Sequence, residues 1–206
     1  MNSTLPKYEQ KNYEISKEKA LQEISKKSIK DLVKTTGAEL EGENILKFHF
    51  FSFPIKFDFT KSELIIPESI KTKSTEGLII HYIAYSKGNH PSGNWIQFYQ
   101  IKDATLYLPV FQKRTIDIIN KAAKTPEQFF NKALKLGAKE IDFISSARAF
   151  KFFAFPFFPL LIVYYEGDEE IPSEMKFMFD QNCISNLPAE DIVITSQFLS
   201  LQFFKV

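Results

Sequence analysis

The chain has 206 residues, 44% of them hydrophobic, and a formal net charge of +1. That length can bury one sizeable core, and that charge sets up no global field to draw in nucleic acid. Cys183 is the sole cysteine, which excludes an internal disulfide and any cysteine-rich metal or cluster site and fits a reducing cytoplasm.

The first residues, MNSTLPKYEQKNYEISKEK, contain no apolar h-region, so no secretory signal is expected and the Asn2-Ser3-Thr4 sequon is a coincidence. Residues from Tyr8 to about Lys34 read as helical, with Tyr13, Ala20, Leu21 and Ile24 along one apolar face. Ser28 caps a second short helix that Gly37 ends. Two strands follow. Leu46, Phe48 and Phe50 alternate with polar residues, and so do Phe51, Phe53, Ile55, Phe57 and Phe59. The apolar parity flips between Phe50 and Phe51, which demands a bulge or tight turn there. Leu64–Ile66 is a further short strand closed by Pro67.

A helix beginning near Ser74 carries Leu78-Ile79-Ile80-His81-Tyr82-Ile83-Ala84-Tyr85. It is apolar almost all round and is therefore expected at the centre of the fold. Lys87–Asn94 is a loop, Trp95–Ile101 a strand, and Leu106–Pro109 extended. Arg114–Ala123 and Pro126–Leu136 read as helices, the second capped by Thr125 and ended by Gly137.

From Phe152 to Tyr165 the sequence is FFAFPFFPLLIVYY, without a charge. The run is shorter than the roughly 20 residues of a membrane span, and Pro156 and Pro159 interrupt it, so it reads as core strand. Glu166-Gly167-Asp168-Glu169-Glu170 follows as an acidic turn, and Met175–Asp180 pairs back across it. Pro188, Glu190 and Asp191 open a last helix, where carboxylates suit the macrodipole. With 22 Phe and no strict βαβ alternation, the expectation is one α+β domain over residues 1–206. Its mostly antiparallel, Phe-rich sheet packs against several helices.

Charge is unevenly placed. Eight acidic residues stand between Glu166 and Asp191 against the single Lys176, while Lys113–Lys139 is basic. Two solvated faces are the favoured reading. Docking of one on the other, or of the acidic face on a basic protein, is the alternative. Nucleic acid is not an expected partner, because the basic residues are helical Lys without interleaved exposed aromatics.

Phosphate-loop, dinucleotide, GxSxG and HExxH patterns are all missing. Three candidate sites remain. Asp168, Glu170 and Asp180 offer oxygen ligands for a hard cation, against a solvated hairpin turn. His81, His90, Trp95 and Tyr99 outline a ligand pocket near the loop His90–Asn94. Against that stand a core His81 bonded to backbone and a Trp95 that is simply a large core residue. His49 falls on the polar parity of its strand. Cys183, in an acidic segment, is not expected to be a reactive thiolate.

Three segments together carry a resemblance. Leu78–Tyr82 leads to Gly93-Asn94-Trp95-Ile96-Gln97-Phe98. Pro156–Tyr165 runs into Gly167-Asp168-Glu169-Glu170 and then Phe179-Asp180, and Leu187-Pro188-Ala189-Glu190-Asp191 opens the last helix. In this the chain resembles a prokaryotic family catalogued as domain of unknown function 3786. It departs from the family pattern at Ala147-Arg148 and Ile171. The resemblance implies a cytoplasmic protein of bacteria or archaea, mostly anaerobes, and brings no catalytic residue or cofactor. Some relatives look fused to an iron–sulfur module of the kind found in corrinoid and one-carbon enzymes, which Cys183 alone does not supply. The expected function is a non-catalytic ligand-binding or accessory domain for a small molecule or protein. A metal-assisted enzyme and an acidic-faced adaptor are the alternatives.

Overall fold

The computed structural model describes residues 7–206, with side chains from Tyr13 onward other than that of Cys183. The sequon and the thiol therefore lie outside the description. Helices α1 (Lys7–Ser25) and α2 (Ile29–Thr36) open the fold. The Ser28 hydroxyl accepts the Asp31 N–H at the start of α2, and Gly37 ends it at φ 68°, as the cap chemistry of the sequence requires.

A four-stranded antiparallel sheet follows, in the order β1 (Glu39–Glu41), β2 (Ile45–Phe50), β3 (Phe53–Asp58), β4 (Glu63–Ile65). The parity flip is a two-residue turn: Phe50 pairs with Phe53, and Phe51 sits at φ 51°. A left-handed conformation at a non-glycine residue costs about 1–2 kcal/mol. It is offset by a backbone hydrogen bond from Phe51 N–H to the Ala154 carbonyl at 2.9 Å and by stacking of its ring on Phe198 at 5.6 Å.

Helix α3 (Lys73–Tyr85) comes next, capped by Thr72 and buried at Leu78, Ile79, Ile80, Tyr82, Ile83 and Ala84. The strand expected over 95–101 stops early. β5 is Trp95–Gln97, and the chain then turns into a 3-10 helix over Phe98–Gln100, held where Gln97 N–H donates to Gln100 Oε1. The extended reading of Leu106–Pro109 is likewise corrected. Ala104–Tyr107 is a 3-10 turn and α4 spans Leu108–Arg114. Pro109 falls in its first turn, where a missing N–H costs nothing. Arg114 thus ends α4, and the following helix, α5, is Ile116–Ala122; α6 is Pro126–Lys135 with Thr125 as its cap.

The second sheet has the order β5-β9-β8-β7-β6 and is antiparallel throughout, where one sheet was expected and two are found. Its strands are β6 (Lys139–Ile144), β7 (Ala147–Phe155), β8 (Phe158–Tyr165) and β9 (Glu174–Asp180). The uncharged run thus forms the end of β7 and all of β8, with the hairpin turn at Pro156-Phe157, and seven of the eight β8 residues are buried. Pro159 sits near the start of β8 beside a register shift, where a strand tolerates the lost donor. α7 (Ala189–Gln202) closes the fold. Its buried Thr195, Ser196 and Ser200 hydroxyls donate to carbonyls four residues back, so none of these three is stranded.

One hydrophobic core joins both sheets to helices α1 to α7. Its centre is aromatic: Tyr82 of α3 stacks on Phe155 of β7 at 4.0 Å, and Phe50 of β2 meets Phe155 at 4.9 Å and Phe198 of α7 at 4.6 Å. A smaller cluster lies on the other face of the five-stranded sheet, where Trp95, Phe143, Tyr165 and Met178 surround the buried Ala149, Leu161 and Val163. Among the described residues no helix is long and apolar enough to cross a membrane.

Two glycines separate backbone strain from packing. A Cβ on Gly37 would stand 2.9 Å from both the Phe157 ring and Pro156, whereas one on Gly42, at the similar φ of 66°, meets nothing within 4 Å. Gly42→Ala is expected to cost only the left-handed conformation, about 1 kcal/mol, and Gly37→Ala roughly twice that or more. Urea unfolding of both variants checks the difference; equal losses would refute the packing role of Gly37.

Candidate functional site

Three helices frame a polar hollow of about 540 Å³. It exists because α1 and α3 cross closely. A Cβ on Gly77 would lie 3.0 Å from the Tyr13 ring, so only a glycine admits that ring without a shift. One turn further along each helix, the same crossing brings Ser16 of α1 to His81 of α3, with Ser16 Oγ 2.8 Å from His81 Nε2. On the other side, His81 Nδ1 lies 2.9 Å from Asp191 Oδ2, in the first turn of α7. Asp191 is 3% exposed and the His81 side chain 20%.

The chemistry of the partners fixes the proton positions. An ionised carboxylate has nothing to donate, so Nδ1–H donates to Asp191. In the neutral ring Nε2 then carries the free lone pair and accepts the Ser16 O–H. Burial pulls the His81 pKa down, but the hydrogen bond and charge of Asp191, with Glu190 behind it, outweigh burial and raise it above the ordinary value. The expectation that His81 bonds to backbone is corrected: both ring nitrogens are held by side chains from other helices. The His81 ring also stands edge-on to Tyr85 at 5.7 Å.

Cations share the hollow. Lys17 Nζ and Lys73 Nζ lie 5.9 Å and 5.5 Å from the centroid of the Tyr13 ring, distances suited to cation–π attraction. The Tyr13 hydroxyl donates to Glu76 Oε2 at 3.4 Å, and burial together with the charges of Glu76 and Glu14 raises its pKa well above the usual phenol value. Lys73 also reaches Glu14 at 3.5 Å, an exposed pair worth little by itself.

The other sequence-predicted candidates lie elsewhere. His90 is exposed on its loop, its ring 4.2 Å from Phe157. Trp95 is half-buried on the outer sheet face, with Lys151 Nζ 5.8 Å from its ring. Tyr99 is 57% exposed and borders a separate hollow against α4. His49 is exposed on β2. These residues do not gather around His81.

The carboxylates are divided as well. Asp168 and Glu170 are exposed in the β8–β9 turn, where Asp168 accepts the N–H groups of Ile171 and Glu170; these hold its pKa below the usual carboxylate range. Asp180 stands at the opposite end of β9 and is fully buried. It accepts the N–H groups of Ser92, Gly93 and Asn182 and the Ser92 hydroxyl. Burial pushes its pKa up, and those donors more than reverse the push. Asp180 thus pins one end of the 87–94 loop. Buried Asn186 pins the other through Lys87 N–H, Asn89 N–H and the Asn89 carbonyl. Among the described residues no three His, Cys, Asp or Glu side chains gather as a metal site.

Ser16, Lys17 and Lys73 are not among the candidates that the sequence offers, and Asp191 is legible there as a helix-terminal charge and a member of the acidic segment, not as a partner of His81. Ser16 nevertheless falls on the apolar stripe of its helix, three residues after Tyr13 and four before Ala20. A polar residue on a buried stripe needs a partner, and that was the available signal.

The fold and the hollow define an α+β domain with a preformed polar cavity between helices. The chain belongs to the family described as "Domain of unknown function (DUF3786)", whose model matches residues 28–202. His81 and Asp191 lie within the match, while Ser16 precedes it. Neither the curated proteins nor the solved structures include a significant match to the chain.

The raised His81 pKa ties stability to pH. The folded state holds the proton more tightly than the unfolded chain does, so this contribution is complete below the ordinary histidine pKa and fades as pH climbs through the folded value. Between pH 6 and pH 9 the wild type is expected to lose more stability in urea than His81→Gln. Parallel losses would show that the Asp191 interaction is not felt in folding.

Proposed function

We propose that this chain is a small-molecule-binding domain and that its ligand is a compact anion held in the hollow among α1, α3 and α7. The observation that carries this reading is the convergence of Lys17 and Lys73 on the Tyr13 ring beside His81, within a volume suited to a metabolite rather than a polymer. Each ammonium offers a carboxylate or phosphate a charge-assisted donor, Lys73 by turning from its exposed contact with Glu14. Glu190 and Asp191 on the opposite wall favour a ligand whose other end donates hydrogen bonds.

A cytoplasmic setting in bacteria or archaea belongs to the same proposal. It is supported by the single cysteine and by the family resemblance. A link to anaerobic one-carbon, corrinoid or iron–sulfur metabolism is supported by that resemblance alone and adds no residue to the site.

Thermal unfolding in the presence of inorganic phosphate and of a panel of small mono- and dicarboxylates tests the reading. At least one member is expected to raise the midpoint by several degrees, as ligand at about 100 times its Kd would, and Lys17→Ala/Lys73→Ala should abolish the shift. No shift with any member, or a shift that survives in the double variant, would remove this site from consideration.

A further inference from the structure

The order Ser16 Oγ, His81 Nε2, His81 Nδ1, Asp191 Oδ2 is the connectivity of a nucleophile, a general base and the carboxylate that orients it. Such constellations are recognised by geometry and role, whatever the fold or chain order. Both links are within hydrogen-bond distance, at 2.8 Å and 2.9 Å. All three residues line the hollow, and Ser16 is half-buried in its wall. The proton arrangement is the productive one, with Nδ1 donating to Asp191 and Nε2 free to take the Ser16 proton.

We propose that Ser16 is a nucleophile, activated by His81, towards the acyl carbon of a small ester whose anionic end is held by Lys17 and Lys73. The proposal rests on the binding site proposed above and goes beyond the expectation of a non-catalytic domain. Ser16 Oγ forms a bond to the acyl carbon while its proton passes to His81 Nε2. The bond from that carbon to the alcohol oxygen breaks, and the proton leaves with the alcohol. Water then attacks the acyl-serine, gives one proton to Nε2, and releases the carboxylic acid as Ser16 regains a proton. The sum is ester plus water giving acid plus alcohol, with no redox partner.

The setting shapes the rate. Ser16 lies inside α1 and not on a sharp strand-to-helix turn, so its own N–H is spent within the helix. That N–H cannot meet the negative charge that develops on the carbonyl oxygen, and Lys17 and Lys73 are engaged by the anionic end of the ester. Preorganised backbone donors are worth about 10²–10³ in rate, so turnover should be slow and covalent capture of Ser16 the more sensitive readout. Asp191 is a positioning residue here: it holds the ring and its tautomer without touching the substrate.

A fluorophosphonate probe tests the proposal on the full chain, read by peptide mass spectrometry. Ser16 Oγ displaces fluoride from phosphorus, leaving one phosphonyl group on the Ser16 peptide. Wild type is expected to carry that single adduct, Ser16→Ala none, and His81→Gln to label at least ~100-fold more slowly. Labelling should rise with pH as His81 loses its proton. Asp191 and Glu190 of α7 raise that titration against the effect of burial, and Lys17 of α1 and Lys73 and Tyr85 of α3 are the other charged or titratable groups beside the ring. A merely structural histidine would not give this pH profile. Circular dichroism melts of both variants confirm that they fold. Should either fail, Ser16→Thr serves instead, with labelling reduced but still on residue 16. No adduct on Ser16 at pH 8, or equal rates in wild type and a folded His81→Gln, would overturn the proposal. Anion-induced stabilisation of unlabelled wild type would at the same time keep the binding site standing, so the two failures are distinguishable.

Discussion

A helix segment that is apolar around nearly its whole circumference has little side to offer to water, and α3 is such a segment from Gly77 to Ala84, with His81 its one polar interruption. Its burial organises the molecule. Tyr82 stacks on Phe155 of the five-stranded sheet and tilts against Phe48 of the four-stranded one, so the two sheets meet on one aromatic side chain. The Tyr82 hydroxyl donates to the Thr36 carbonyl and accepts Phe157 N–H, joining the end of α2 to the β7–β8 turn. α1 and α7 close the other side. Satisfying α3 therefore fixes the placement of both sheets and three helices.

The same burial makes the site. A histidine one turn beyond Gly77 on a buried helix cannot leave its ring nitrogens to water, and unpaired polar groups there cost about 1–3 kcal/mol. The partners come from the two helices that cover α3, Ser16 from one and Asp191 from the other. What binds the helices together is thus also what aligns an acid, a base and a hydroxyl. Rigid helices hold such a group more precisely than a loop would. The 87–94 loop, by contrast, spends its polar contacts on Asp180 and Asn186 and is a fixed connection between the core and β5.

Much of the architecture is legible in the residues. The Ser28 and Gly37 caps, the parity flip at Phe50-Phe51, the uncharged run of the β7–β8 hairpin and its pairing with β9 all follow from local chemistry. The division into two sheets does not, because pairing between strands far apart in sequence leaves no periodic signal. β6 carries only a short signal, Ile141 and Phe143 alternating with Glu140 and Asp142. The helical turn over Leu106–Pro109 was read as extended because Pro109 suggests a break, whereas at a helix start it is accommodated. At the site, His81 is legible as a polar residue on an apolar helix. Its partners lie 65 and 110 positions away, and only the crossing at Gly77 brings the first of them into reach. Trp95 drew attention as the sole tryptophan, but strand alternation sends it to the outer sheet face, away from α3.

The central claim is that Asp191 holds His81 as a base with its free lone pair on Nε2. Nitrogen-15 NMR of the imidazole, followed across a pH titration, reads this directly. The account predicts that neutral His81 carries its proton on Nδ1 and titrates above the ordinary histidine value. A proton on Nε2, or a pKa at or below that value, would contradict it.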